Sequence, residues 1–165
     1  MAKLAIAEGD VILAKERYSG PGVVWSDDNP FEPGKYDLVV LYNWLQLAEQ
    51  PKVLGLIRYY VSLLKEGGEL IVVVPSLDWA ANEIAFNDNP SIAAFVAIYG
   101  TPTEPHRCGF TMNWLRLVLS QNDGLLVNYA NVETIKITQG EQSEEARQNA
   151  IMCTKVLSET AEAVA

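Results

Sequence analysis

The residues of this chain that could do chemistry fall into five short segments. Glu8-Gly9-Asp10 follows the apolar stretch KLAIA, and Asp27 and Asp28 open a loop that reads DNPFEPG over 28–34. Asn43 closes the apolar run Leu38 to Tyr42. Asp78-Trp79 follows Pro75, and His106-Arg107 lies in GTPTEPHRCG over 100–109. In an open α/β sheet, ligands bind outside the carboxyl ends of the strands, where strand order reverses. A small-residue turn after one strand lets backbone approach such a ligand, and an acidic residue after the next holds ribose hydroxyls.

Several other chemistries lack their residues. No serine has the G-x-S-x-G context of a nucleophile elbow. Ser19-Gly20-Pro21-Gly22 has the glycine content of a phosphate loop, but Pro21 removes a donor and no helix clearly follows. One histidine and two cysteines, Cys108 and Cys153, match no metal spacing, so no metal site is expected. Both cysteines read as reduced thiols of a cytoplasmic protein. With 12 Lys+Arg against 21 Asp+Glu the net charge is −9, which opposes binding to nucleic acid. The apolar runs fall short of the roughly 20 residues that cross a bilayer, and no signal peptide is evident, so no membrane contact is expected.

The elements that would position these residues follow from hydropathy. Lys3 to Ala7 and Val23 to Trp25 read as short strands; Val11 to Leu13 reads as either a strand or a helix start. Leu38 to Tyr42 is an apolar strand leading into a helix in which Pro51 can occupy the first turn. Leu54, Ile57, Val61 and Leu64 share one face of that helix. Gly67 is expected to supply the left-handed residue that stops it. Leu70 to Val74 is apolar and β-branched throughout, a central strand. The two strands and their crossover helix predict parallel strands covered on both faces. Helices follow at 77–87, 91–99 and 112–121, the last capped by Thr111. Leu125 to Ile137 is a long strand, Gln139 to Arg147 a polar connection, and Ala150 to Val156 an antiparallel return. Residues 1–157 suit one domain, with 158–165 as a frayed tail.

The run Tyr36-Asp37, apolar strand, polar turn, helix, Leu64-Lys65-Glu66-Gly67-Gly68, apolar strand, Pro75 resembles the second half of class I S-adenosylmethionine (SAM) methyltransferases. Asp28-Asn29-Pro30-Phe31 resembles the family's D-x-x-L-P-F segment, whose acidic residue lies near the adenine. Tyr99-Gly100…His106…Gly109-Phe110-Thr111 resembles a segment that lies over the substrate side of the cleft in methyltransferase-like proteins. The resemblance implies a three-layer Rossmann-like α/β fold with a mostly parallel sheet, a C-terminal antiparallel strand and a shortened N-terminal part. It implies SAM as cofactor, with Glu8, Gly9, Asp28 and Asn43 in its site. His106 would orient or deprotonate the acceptor, and Asp78, Trp79, Tyr99 and Arg107 would lie on the substrate side.

The sequence departs from the family in its first half. The expected G-x-G-x-G turn is reduced to the single Gly9, and roughly one βα unit is missing between Leu4 and Asp37. After Asn43, the family's Leu-Glu-His run is replaced by Leu45-Gln46-Leu47. Each candidate also has a purely structural reading: an ordinary turn at Gly9, a solvated carboxylate at Asp28, a turn cap at Asn43, a hydrogen-bonded loop histidine at 106, and packing at Trp79. Two functions remain open, a small SAM-dependent methyltransferase acting on a small molecule and a non-catalytic domain used in binding or assembly. Loss of a βα unit would expose a sheet edge, so a homodimer is expected.

Overall fold

Strand β3, Tyr36–Tyr42, and strand β4, Leu64–Pro75, form the centre of the sheet because their stretches 38–42 and 70–74 carry no charged residue and are almost wholly apolar. Val39, Val40, Leu41 and Tyr42 are at most 1% exposed, so both faces of β3 are covered. In the computed structural model, which describes residues 3–7, 23–25, 31–139 and 142–156, these strands are parallel and joined by helix α1, Val53–Leu63. Pro51 sits in the short helical turn Gln50–Lys52 that leads into α1. Val53, Ile57, Tyr60 and Val61 turn inward from the helix and pack with Val39, Leu41, Leu70, Val72 and Val74. At about 25 cal/mol per Å² of apolar surface, this sandwich is the main source of stability.

Two further strands, β1 (Lys3–Ala7) and β2 (Val23–Trp25), extend the sheet beyond β3 in parallel register, Ala7 lying beside Tyr42. On the other side β4 meets β6 (Gln142–Lys155), which pairs with the edge strand β5 (Leu125–Gln139), both contacts antiparallel. The order among the described residues is β2-β1-β3-β4-β6-β5. Helix α2 (Leu77–Phe86) and helix α3 (Ile92–Tyr99) follow β4, and helix α4 (Met112–Ser120) precedes β5. Thr111 caps α4 through Trp114 N–H at 3.1 Å. Leu115, Val118 and Leu119 of α4 join α1 on one face of the sheet. On the opposite face, Trp79 of α2 and Ala93 of α3 pack on Ile135 and Ala146 of the β5–β6 pair. The three-layer α/β architecture with a closing antiparallel pair is as expected.

Two boundaries differ from expectation. Helix α1 stops at Leu63, four residues before Gly67, because Leu64 is completely buried and already pairs with Tyr36. The register jumps between Tyr36 and Leu38, so residues 65–68 form a bulge within β4. Gly67 is left-handed (φ 76°) inside that bulge and is not the helix stop. A side chain on Gly68 would press to within 2.9 Å of the Lys65 carbonyl and 3.1 Å of Tyr36's. The second correction concerns the polar connection expected over 139–147: residue 139 ends β5 and residues 142–147 belong to β6. Ala146, Gln148 and Ala150 are buried on one face of β6, and Asn149 on the other face is buried too.

Candidate functional site

Strand order turns at β1: β2 lies on one side and β3 on the other, with all three parallel. The crevice at the carboxyl ends of β1 and β3 is therefore the switch point of the sheet. Asn43 is the residue immediately beyond β3. Its backbone is left-handed (φ 48°), a conformation asparagine tolerates better than most residues, and its N–H donates to Val73 O at 2.9 Å. Gln148 Nε2 donates to Asn43 Oδ1 at 3.0 Å, and the Tyr42 hydroxyl donates to Gln148 Oε1 at 3.1 Å. Gln148 is only 2% exposed and its bond to Tyr42 is buried, while its bond to Asn43 is partly buried.

The loop over 100–111 is tied to the same end of the sheet. Arg107 and Cys108 donate their backbone N–H groups to Gln46 O at 2.8 and 3.1 Å. Phe110 O accepts from Leu77 N at 3.1 Å and from Asn149 Nδ2 at 3.0 Å. The Phe110 ring is buried and stacks on Trp114 with centroids 4.7 Å apart. Gly100 (φ 73°) opens the loop; a Cβ there would collide with the Glu104 carbonyl and the His106 backbone.

His106 Nδ1 lies 3.2 Å from Ala97 O, near the C-terminal end of α3. Nδ1 therefore carries the proton, and Nε2 holds the lone pair. Burial lowers the pKa of the ring below its ordinary value, against the opposing pull of the Ala97 carbonyl, so the imidazole is neutral at pH 7. Burial also pushes the Cys153 thiol up to about 12 and raises that of Cys108. Both cysteines are free and buried, and burial favours the thiol over the thiolate in each.

The candidate residues do not converge on one pocket. Asp78 Oδ2 accepts the Met112 N–H at 2.9 Å and thereby caps α4. Trp79 and Arg147 line two adjoining grooves of about 550 and 570 Å³. Arg107 lines a different one of about 350 Å³, with Cys108, Gly109 and Trp114, and its guanidinium lies 3.6 Å from Glu49. Tyr99 is 67% exposed at the end of α3. Glu8, Gly9, Asp28, Asp27 and Asp10 lie outside the described residues, as do Val11–Leu13 and the turn at 19–22.

Sequence reasoning missed Gln148, Asn149 and Gln46. The first two fall between the polar connection expected over 139–147 and the strand expected from Ala150; the signal is the recurrence of Ala146, Gln148 and Ala150 at every second position. Gln46 stands where the resembled family carries an acidic residue. Its Oε1 and Asn149 Oδ1 are buried acceptors with no hydrogen-bond partner among the described residues. Such groups are costly to leave unmet.

No protein-family model matches the chain, and no curated protein matches it. Solved structures do. A SAM-dependent methyltransferase from Methanosarcina mazei superposes with TM-score 0.55 at 15% identity, covering 94% of this chain and 82% of that one. A SAM-dependent methyltransferase from Archaeoglobus fulgidus gives 0.54 at 16% identity, covering 93% and 86%. A chain of the Haloferax volcanii complex that contains the Trm112 methyltransferase activator gives 0.59 at 12% identity, covering 94% and 82%. The fold is that of the class I SAM-dependent methyltransferases. Among the described residues, no helix is long and apolar enough to cross a membrane.

Proposed function

We propose that this chain binds SAM at the carboxyl ends of β1 and β3 and directs methyl transfer to a small-molecule acceptor. The observation that carries the reading is the reversal of strand order at β1, with Asn43 held at that point by a buried partner. The groups present suit the ligand. Asn43 Oδ1 already accepts from Gln148, and the Asn43 N–H pair, which has no partner among the described residues, suits oxygen atoms of the cofactor. The unmatched Gln46 acceptor, in the turn after β3, suits an N–H donor such as an amine. When bound, SAM supplies a methyl group already activated on a sulfonium sulfur, so the protein has mainly to orient and desolvate.

In this reading His106 orients the acceptor or takes its proton at Nε2, since Nδ1 is engaged by Ala97 O. Asp78 supports the loop through Met112, and Tyr99, Trp79 and Arg107 flank the acceptor side. Calorimetric titration with SAM and S-adenosylhomocysteine tests the proposal. Saturable micromolar binding supports it, and silence at millimolar ligand rejects it.

A second reading, assembly without catalysis, is favoured by the apolar surface of α2 and α3, where Phe86 is 85% and Ile92 56% exposed. β5 also leaves one long edge of the sheet unpaired among the described residues. A homodimer would cover one of these surfaces. A monomeric mass in sedimentation at micromolar concentration would count against it.

A further inference from the structure

Asn43 could present either end of its amide to a ligand, because both ends have the same shape and differ only in what they bind. The chain of buried and half-buried groups behind it, Tyr42 and Gln148, links the two choices. The Tyr42 hydroxyl donates to Gln148 Oε1 at 3.1 Å, so Gln148 presents its N–H side to Asn43 Oδ1 at 3.0 Å. That bond takes one of the two lone pairs of Asn43 Oδ1, and the Nδ2 hydrogens have no partner among the described residues. The opposite polarity is chemically closed as well: Gln148 would donate to the phenol oxygen and accept from Asn43, which would then offer an oxygen. Which polarity holds sets whether Asn43 meets acceptors or donors on the ligand.

Gln148 is suited to hold that choice. It sits on β6, directly across from Pro75 at the end of β4, and is 2% exposed. Its backbone is fixed by pairing with strands on both sides, Pro75 on β4 and Glu133 on β5. It reaches Asn43 across 105 residues of sequence. A buried amide with both ends satisfied does not turn over without breaking two bonds.

We propose that Gln148 is a positioning residue that locks Asn43 with its N–H donors toward the oxygen atoms of the cofactor, either ribose hydroxyls or the carboxylate. The proposal rests on the cofactor reading above. It makes Gln148 act through Asn43, which a residue of purely structural importance would not do.

A double-mutant cycle with S-adenosylhomocysteine as probe tests this, read by calorimetry on the full chain. Gln148→Met keeps length and apolar volume while removing both amide ends. Its expected effect is a roughly three- to tenfold loss of affinity, with no further loss when Asn43→Ala is already present. Tyr42→Phe, the milder change, is expected to lower affinity about threefold and to show the same non-additivity. Additive losses, or unchanged affinity in both Gln148→Met and Tyr42→Phe, overturn the positioning role and leave the cofactor reading intact. Absence of binding by the unaltered chain overturns both. Adenosine, which keeps the ribose and lacks the carboxylate, separates the two oxygen sources: coupling retained with adenosine assigns the ribose, and coupling with S-adenosylhomocysteine alone assigns the carboxylate. In the unliganded protein, slow exchange of the Gln148 side-chain amide protons is expected. Fast exchange overturns the locked polarity whatever the chain binds.

Discussion

Leu70, Val72 and Val74 on β4 are completely buried among apolar neighbours from α1, β3 and β6. One residue past the same strand, Ser76 is equally shielded, yet it lies where Gln148, Asn149 and the Phe110 carbonyl meet. The two regions share a strand and differ in what holds them. The β3–α1–β4 unit gains stability from every side chain it buries. The carboxyl end buries amides and hydroxyls whose net contribution is small and whose loss of a partner is expensive. A polar shell of that kind suits ligand positioning better than stability, which is why the cleft, and not the crossover, is assigned the function.

Changes in the two regions should therefore read out differently. The largest loss is expected from Ile57→Ala, which empties a completely buried site beneath the sheet. It should cost about 2–5 kcal/mol in urea unfolding, a large fraction of a typical domain's stability. Gly100→Ala combines a left-handed backbone with overlap on the Glu104 carbonyl and is expected to cost about 2–4 kcal/mol. Because that loop carries His106, acceptor turnover should fall as well. Asp78→Ala removes the carboxylate from the Met112 N–H and should lower stability by about 1 kcal/mol. A change in acceptor KM with the thermal midpoint unmoved would instead make Asp78 a substrate contact.

The smallest effect is pH dependence from His106. Burial holds its folded pKa below the ordinary 6.5. The unfolded chain therefore takes up the proton first as pH falls through 6.5. The stability contributed by the neutral ring is complete above that value and is lost as pH drops through the folded pKa. Chemical unfolding from neutral to mildly acid pH should show this decline, and His106→Asn should flatten it.

The difference between the regions also explains what could be read from the sequence. The crossover was legible because hydrophobic burial writes itself as period and composition: Leu38 to Tyr42 and Leu70 to Val74 are strands in any α/β context. The β-bulge at 65–68 was not. Gly67-Gly68 after a helix has the look of a helix stop, and only the pairing of Leu64 with Tyr36 shows that the helix had already ended. Asn43 could be singled out because it directly follows a buried strand. Gln148 could not, since its partner is 105 residues away and nothing local links the two. Residues 142–149 have little intrinsic strand preference, and their extended form is set by pairing with β5 and β4.

If the switch point at Asn43 holds the cofactor, ligand should perturb that end of the sheet first. Amide chemical shifts of the isotope-labelled chain titrated with S-adenosylhomocysteine address it most directly. Perturbations centred on Asn43, Trp44 and Ser76 and on the side-chain amides of Asn43 and Gln148, saturating together, are the expected result. Shifts confined to the α2–α3 surface, or none at millimolar ligand, would contradict it.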